Sequence, residues 1–179
     1  LLIPHKKNGT KIILIDGDPV DAKAAATDFA LVHNFPKISP FYERCEANAT
    51  QGYEIAEEIL KGRLPDFDFY VQTIAAGMGP IGFFIGMARV AKWTKGKVKI
   101  PRVVAVQISE FAPVQEAWDK DKEQVGPKGI TPKFASEHPF EPTLHTTNAP
   151  AYYPFIRKLL KSTNGILTKV EPDEVKNFI

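Results

Sequence analysis

The apolar positions of this chain follow two alternating periods. Short apolar runs bounded by Gly, Pro or Asp are typical of strands in a parallel sheet, and they cover residues 11–15, 67–74, 102–108 and 166–170. Between and after them, apolar residues recur with the helical period of 3.6. These stretches predict helices over 19–33, 52–60, 80–93, 113–118, 151–161 and from 172 onward. Strands that alternate with helices predict a three-layer α/β protein whose mainly parallel sheet is flanked by helices.

Two stretches show no clear period. Residues 34–50 are predicted to be a loop, and residues 119–150 a long surface excursion with several prolines. Long excursions of this kind are usually functional or disordered. At the start of the first helix, Asp18 is suited to be the N-cap and Pro19 the first helical residue. Residues 1–33 therefore read as strand, turn and helix.

Composition narrows the class of protein. The chain has 179 residues, of which 44% are hydrophobic and 25% are charged, and this is ordinary globular composition. A formal net charge of +2 does not argue for a nucleic-acid partner. One cysteine, Cys45, excludes an intrachain disulfide and a cysteine-rich zinc site. His138 and His145 lack the spacing of metal ligands, so no metal is expected.

An uncharged stretch, residues 69–88, raises the question of a membrane span. It contains Gln72, Thr73, a proline and four glycines, so a buried strand–loop–helix unit explains it better. We therefore predict a cytoplasmic protein without a membrane partner. The opening Leu1-Leu2-Ile3-Pro4, with no initiator Met, leads us to expect a fragment of a longer chain.

The stretch that carries chemistry is the glycine loop at residues 75–82, Ala-Ala-Gly-Met-Gly-Pro-Ile-Gly, between a predicted strand and helix. Glycines there let backbone N–H groups turn inward, and the helix N-terminus adds partial positive charge, which suits a phosphate. A tight turn with close packing requires glycine as well. Residues 77–82 also match the dinucleotide fingerprint G-x-G-x-x-G. That fingerprint needs an acidic residue at the end of the next strand, where Gln107 stands.

Three segments of the chain carry a family resemblance: residues 15–22, 65–82 and 106–118. They resemble the pyridoxal-phosphate enzymes of the tryptophan synthase β-subunit type, and their sequence is similar to that of threonine synthases and cysteate synthases. The resemblance implies part of a fold type II architecture, with residues 1–48 ending a smaller domain and 49–179 forming an incomplete large domain. It implies pyridoxal 5′-phosphate as cofactor and a homodimer as assembly. The implied reaction is β- or γ-replacement on a small O-phosphorylated amino acid.

The resemblance also implies roles for particular residues. The residues that would cradle the cofactor phosphate are Ala75, Ala76, Gly77, Met78 and Gly79. Met78 stands where the family has a threonine hydroxyl, and Gln107 would face the site.

No catalytic residue can be named, because the family's Schiff-base lysine lies upstream of Leu1. Lys11, Lys92 and Lys95 are poor substitutes, so we expect this chain alone to be inactive. Two alternatives remain open at this point: a nicotinamide-dependent oxidoreductase and a non-catalytic binding module of the same fold.

Overall fold

The computed structural model describes residues 9, 11–17, 19–36, 41–125, 144 and 149–177. The chain divides into two compact units, residues 1–40 and 41–179. The interpretation of residues 1–48 and 49–179 as parts of two family domains stays a prediction. In the first unit, helix α1 spans Pro19–Val32, close to the predicted range. Its first residue is the predicted proline, whose fixed φ and missing N–H suit that position. Asp18, the predicted N-cap, lies outside the described residues.

The predicted strand at residues 11–15 is wrong, because the structure forms no strand there. Ile13 and Leu14 are 63% and 80% exposed. An apolar run becomes a strand only when a neighbouring strand accepts and donates its backbone hydrogen bonds. Among the described residues, none supplies that partner to residues 11–15. The apolar pattern therefore shows a composition typical of a strand, but it does not show whether a partner strand is present.

The second unit is built on a parallel sheet of three described strands in the order β1-β2-β3. The strands are β1 (Phe69–Thr73), β2 (Arg102–Ile108) and β3 (Ile166–Val170). The register aligns Thr73 with Val106 and Val106 with Thr168, so the carboxyl ends of all three strands meet at one edge. This confirms the α/β class with a parallel sheet flanked by helices.

The helices of the second unit follow the predicted order. They are α2 (Phe41–Leu60), α3 (Met78–Trp93), α4 (Pro113–Asp119), α5 (Ala149–Ser162) and α6 (Pro172–Lys176), with a 3₁₀ turn at Ser109–Phe111. The predicted loop at 34–50 is wrong for residues 41–50, which belong to α2. Cys45 and Ala49 in that half of α2 are buried in the core. Packing against the rest of the unit stabilises this helical half, and local sequence does not reveal that contact.

Helices α2 and α3 approach each other closely enough to require glycine at the crossing. A Cβ on Gly86 would overlap the carbonyl oxygen of Ala49, and a Cβ on Gly52 would overlap that of Phe83. A Cβ on Gly82 would collide with Asn48. The obstacles at Gly52 and Gly86 are backbone atoms, so they cannot rotate away as a side chain does. The glycines of α3 therefore serve helix packing beyond the loop in which they attract notice.

The two faces of the sheet differ in burial. Val103, Ala105 and Leu167 share one face and are almost completely buried against α4 and α5. The opposite face carries Phe69 and Val71, which are 48% and 63% exposed. Parallel sheets normally bury both faces, and the apolar strands of this sequence predict the same. The residues that the structure describes cover only one face.

None of the helices that the structure describes combines the length and the apolar character required to cross a bilayer. Most of the predicted excursion at 119–150 lies outside the described residues. Its beginning completes α4 and turns at Asp121, whose carboxylate accepts hydrogen bonds from Arg157 (2.8 Å) and Lys161 (3.2 Å) of α5.

Candidate functional site

The glycine loop joins the carboxyl end of β1 to the first turn of α3. Ile74 is buried and continues the sheet, because its N–H donates to the carbonyl of Val106 at 2.8 Å. Residues 75–77 then turn, and Gly77 is the N-cap of α3 with φ +81° and ψ 11°. This left-handed conformation favours glycine, since a Cβ costs about 1–2 kcal/mol there. The strand–loop–helix unit predicted from sequence is confirmed.

Both glycines of the loop lie against side chains from elsewhere in the unit. A Cβ on Gly77 would overlap the end of the Ile156 side chain of α5. A Cβ on Gly79 would overlap the Gln72 amide of β1. The loop is thus packed between α5 and the sheet.

The loop presents backbone donors without acceptors. Among the described residues, no carbonyl or side chain accepts a hydrogen bond from the N–H groups of residues 75–79. No side chain caps Gly77, and the first turn of α3 has no acidic residue. Pro80 is buried and brings no N–H of its own. Orphan N–H groups at the positive end of a helix dipole favour an anion.

Gln107 lies at the same edge of the sheet, near the end of β2. Its side chain is only 2% exposed, and its Oε1 accepts a hydrogen bond from the Gln115 N–H at 2.9 Å. Gln115 is the third residue of α4, so this bond satisfies one of the orphan N–H groups of that helix. No described residue accepts a hydrogen bond from the Gln107 Nε2. The expectation that Gln107 faces the site stays a prediction that rests on this amide nitrogen.

Replacing Gln107 with leucine is expected to lower the free energy of unfolding by roughly 1–3 kcal/mol, because the half-buried Gln115 N–H would lose its acceptor. Urea denaturation of the variant and of the unmodified chain measures the loss. Gln124→Leu is the matched control, since Gln124 is exposed and the same substitution there should change stability by less than about 0.5 kcal/mol. Equal losses for the two variants would show that the bond to α4 contributes nothing.

Three side chains near the loop were not singled out from sequence. The Tyr70 hydroxyl donates its one proton to the nearer oxygen, Oε1 of Gln72 at 2.8 Å, and Oε1 of Gln51 lies 3.1 Å from the same hydroxyl. The Tyr70 ring stacks on Phe83 of α3, with centroids 3.6 Å apart. Burial raises the pKa of the Tyr70 phenol, so the group stays protonated and able to donate at neutral pH. Alternation along β1 puts residues 70 and 72 on one face, and this is the signal that could have identified Tyr70 and Gln72 from the sequence.

The lysines considered as Schiff-base residues lie elsewhere. Lys92 is exposed in the last turn of α3, about 20 Å along the helix from Met78 at 1.5 Å per residue. Lys95 is exposed just after that helix, and Lys11 is exposed in the first unit. The histidines at 138 and 145 lie outside the described residues.

Two other features of the described chain do not form a site. Within the described ranges, no group of three or more His, Cys, Asp or Glu residues is arranged to hold a metal ion. The first unit has an open groove of about 850 Å³, lined mostly by apolar side chains such as Ile13 and Phe29. Its lining has no glycine loop and no helix N-terminus like that at Gly77. Cys45 is buried in the core of the second unit, where burial raises the pKa of its thiol.

In open α/β sheets, ligands bind outside the carboxyl ends of the strands, and the glycine loop between β1 and α3 lies at that edge of this sheet. The family of pyridoxal-phosphate-dependent enzymes matches the chain over residues 5–178. The chain belongs to this family, whose members use pyridoxal phosphate as cofactor. No curated protein matches the chain.

The residues present fit the phosphate of this cofactor. The loop offers N–H donors that no acceptor in the described part of the chain occupies, positive helix potential and no competing carboxylate in the first turn of α3. The match includes residues 77–82, so it assigns the glycine loop to a pyridoxal-phosphate enzyme in place of the nicotinamide enzyme considered from the fingerprint. The assignment of single residues to the cofactor remains a prediction.

Proposed function

We propose that residues 75–79 hold the cofactor phosphate of a pyridoxal-phosphate-dependent synthase or lyase. The observation that carries the proposal is the set of N–H groups at the N-terminus of α3, next to the left-handed Gly77, for which no described residue is an acceptor. The bound cofactor supplies an electron sink for bonds at the α-carbon of an amino acid. The loop residues bind the phosphate and orient the cofactor against the carboxyl edge of the sheet.

We further propose that the reaction is β- or γ-replacement on an O-phosphorylated amino acid, with phosphate as the leaving group. This proposal is supported by the amino-acid sequence of residues 65–82 and 106–118, which resembles that of threonine and cysteate synthases. Gln107 is proposed to face this site, and a homodimer is proposed as the assembly. The lysines described here are exposed, and none is proposed as the Schiff-base residue.

Equilibrium binding tests the phosphate site directly. Pyridoxal 5′-phosphate and pyridoxal, which lacks the phosphate, are titrated separately into the 179-residue chain and followed by the quenching of tryptophan fluorescence. We expect the phosphorylated compound to bind at least about tenfold more tightly, since charge-assisted hydrogen bonds to phosphate are lost with pyridoxal. Equal affinities would overturn the proposed site.

The choice of substrate needs a second measurement. The chain saturated with cofactor is titrated with O-phospho-L-serine and, separately, with L-serine, and tryptophan fluorescence gives the two affinities. Binding of the phosphorylated amino acid at least about tenfold more tightly supports the proposed substrate class, because charge-assisted hydrogen bonds to its phosphate are lost with L-serine. Equal affinities for the two amino acids would contradict an O-phosphorylated substrate.

A further inference from the structure

Gln72 of β1 lies against Gly79 in the N-terminal turn of α3. It stands on β1 three residues before the loop, and its amide occupies the space that a Cβ on Gly79 would need. An added Cβ at Gly79 would overlap the Gln72 Nε2, with its Cδ and Oε1 2.9 Å away. The whole amide therefore lies beside the turn that carries the orphan N–H groups.

The two ends of this amide have different surroundings. Oε1 accepts a hydrogen bond from the Tyr70 hydroxyl at 2.8 Å. The Tyr70 ring is itself held by stacking on Phe83, with 9° between the ring planes. No described residue accepts a hydrogen bond from Nε2 of Gln72. Because the oxygen is held by tyrosine, the nitrogen is the end that remains to donate.

The loop lacks another side-chain donor. Ala75, Ala76, Gly77, Met78 and Gly79 have no side-chain hydroxyl or amine, so they bring backbone donors only. A phosphate presents several strong acceptor oxygens and is best held by donors that converge from more than one direction. Backbone N–H groups approach from the helix terminus, and the Gln72 amide approaches from the sheet.

We propose that Gln72 donates a hydrogen bond from Nε2 to the phosphate of the bound cofactor, and that Tyr70 is the positioning residue that orients the Gln72 amide. The inference rests on the proposed phosphate site at residues 75–79. In this arrangement the side-chain donor comes from the strand that precedes the loop. Gly79 is then required because any Cβ would displace the amide from this position.

The competing explanation is that Gln72 only packs against Gly79. The two explanations are separated by measuring the binding of pyridoxamine 5′-phosphate and of pyridoxamine to the full 179-residue chain. The dissociation constant of pyridoxamine divided by that of pyridoxamine 5′-phosphate reports the contribution of the phosphate to binding. A packing role changes stability or the affinity for both compounds, and it leaves this ratio unchanged.

We expect Gln72→Leu to lower the ratio roughly 10- to 100-fold, which is typical for the loss of a hydrogen bond to a charged group. Gln72→Glu should lower it further, because a carboxylate repels the phosphate. Gln51→Leu is the matched control: Gln51 is exposed, contacts the same Tyr70 hydroxyl and lies on α2, so the ratio should not change. Thermal unfolding without ligand checks that each variant is folded.

Tyr70→Phe keeps the stacked ring and removes the hydroxyl that holds Gln72, so we expect a smaller loss, roughly three- to tenfold. In the double variant, Tyr70→Phe should add no loss to that of Gln72→Leu, because Tyr70 acts through Gln72. Full additivity of the two losses would overturn the positioning role.

The outcomes also separate this inference from the function on which it depends. If the unmodified chain prefers the phosphorylated compound and Gln72→Leu keeps that preference, the role of Gln72 is wrong and the phosphate site stands. If the unmodified chain shows no preference, the phosphate site fails and the role of Gln72 fails with it.

Discussion

Glutamate in place of Met78 is expected to lower the affinity for pyridoxal phosphate roughly 100-fold or more without unfolding the chain. Met78 is the first residue of α3, beside the unpaired N–H groups of the loop. A carboxylate there would compete for these donors. It would also place a negative charge near the phosphate, where two unit charges at about 4 Å repel by roughly 4 kcal/mol at an effective dielectric constant near 20.

The same substitution should not lower helix stability, because acidic residues in a first turn stabilise a helix by about 0.3–1 kcal/mol. Met78→Gln is the matched control: it removes the same partly buried apolar side chain without adding charge. Fluorescence titration with pyridoxal phosphate gives the affinities, and thermal unfolding gives the stabilities. A Met78→Glu variant that binds as tightly as Met78→Gln would contradict a phosphate at this helix terminus.

Valine in place of Gly86 is expected to lower the free energy of unfolding by roughly 3 kcal/mol or more, at the upper end of overpacking effects. The ideal Cβ at this position overlaps the backbone carbonyl of Ala49 and lies 2.9 Å from the Cα of Gly52. Neither atom can rotate away, so α2 and α3 must move apart. That movement opens gaps beside Phe83 and Met87, which are completely buried between these helices.

The control for this prediction is Ala47→Val on α2, where the side chain is exposed and the substitution costs only helix propensity, less than about 0.7 kcal/mol. Urea denaturation of both variants and of the unmodified chain gives the comparison. If Gly86→Val is no less stable than Ala47→Val, the close crossing of α2 and α3 is not present in solution.

The sequence singled out some residues near the loop and not others, and this difference has a physical cause. Gly77 and Gly79 stand out in the sequence, because a strand followed by glycines and a helix is a local pattern with a local explanation. Tyr70 and Gln72 do not stand out, because the role proposed for them depends on contacts with Phe83 and Gly79 on another element. Gln107 was found from its place at a strand end, but its bond to Gln115 required the position of α4.

The elements themselves divide in the same way. Strand β2 and the step from β1 to α3 were predicted nearly to their observed bounds, since apolar period and turn residues act within a few positions. The first half of α2 was missed, and residues 11–15 were wrongly predicted to be a strand. Both errors concern segments whose structure depends on a partner distant in sequence.

The sequence by itself determined the α/β class, the order of strands and helices after residue 50, and the position of the glycine loop between β1 and α3. These follow from hydrophobic period and glycine placement, which are properties of neighbouring residues. Only the tertiary structure decided how closely α2 and α3 approach, which face of the sheet the described residues cover, and that the Tyr70 hydroxyl donates to the Gln72 amide oxygen beside Gly79. These depend on contacts between residues far apart in the chain, and a one-dimensional pattern carries no distance between them.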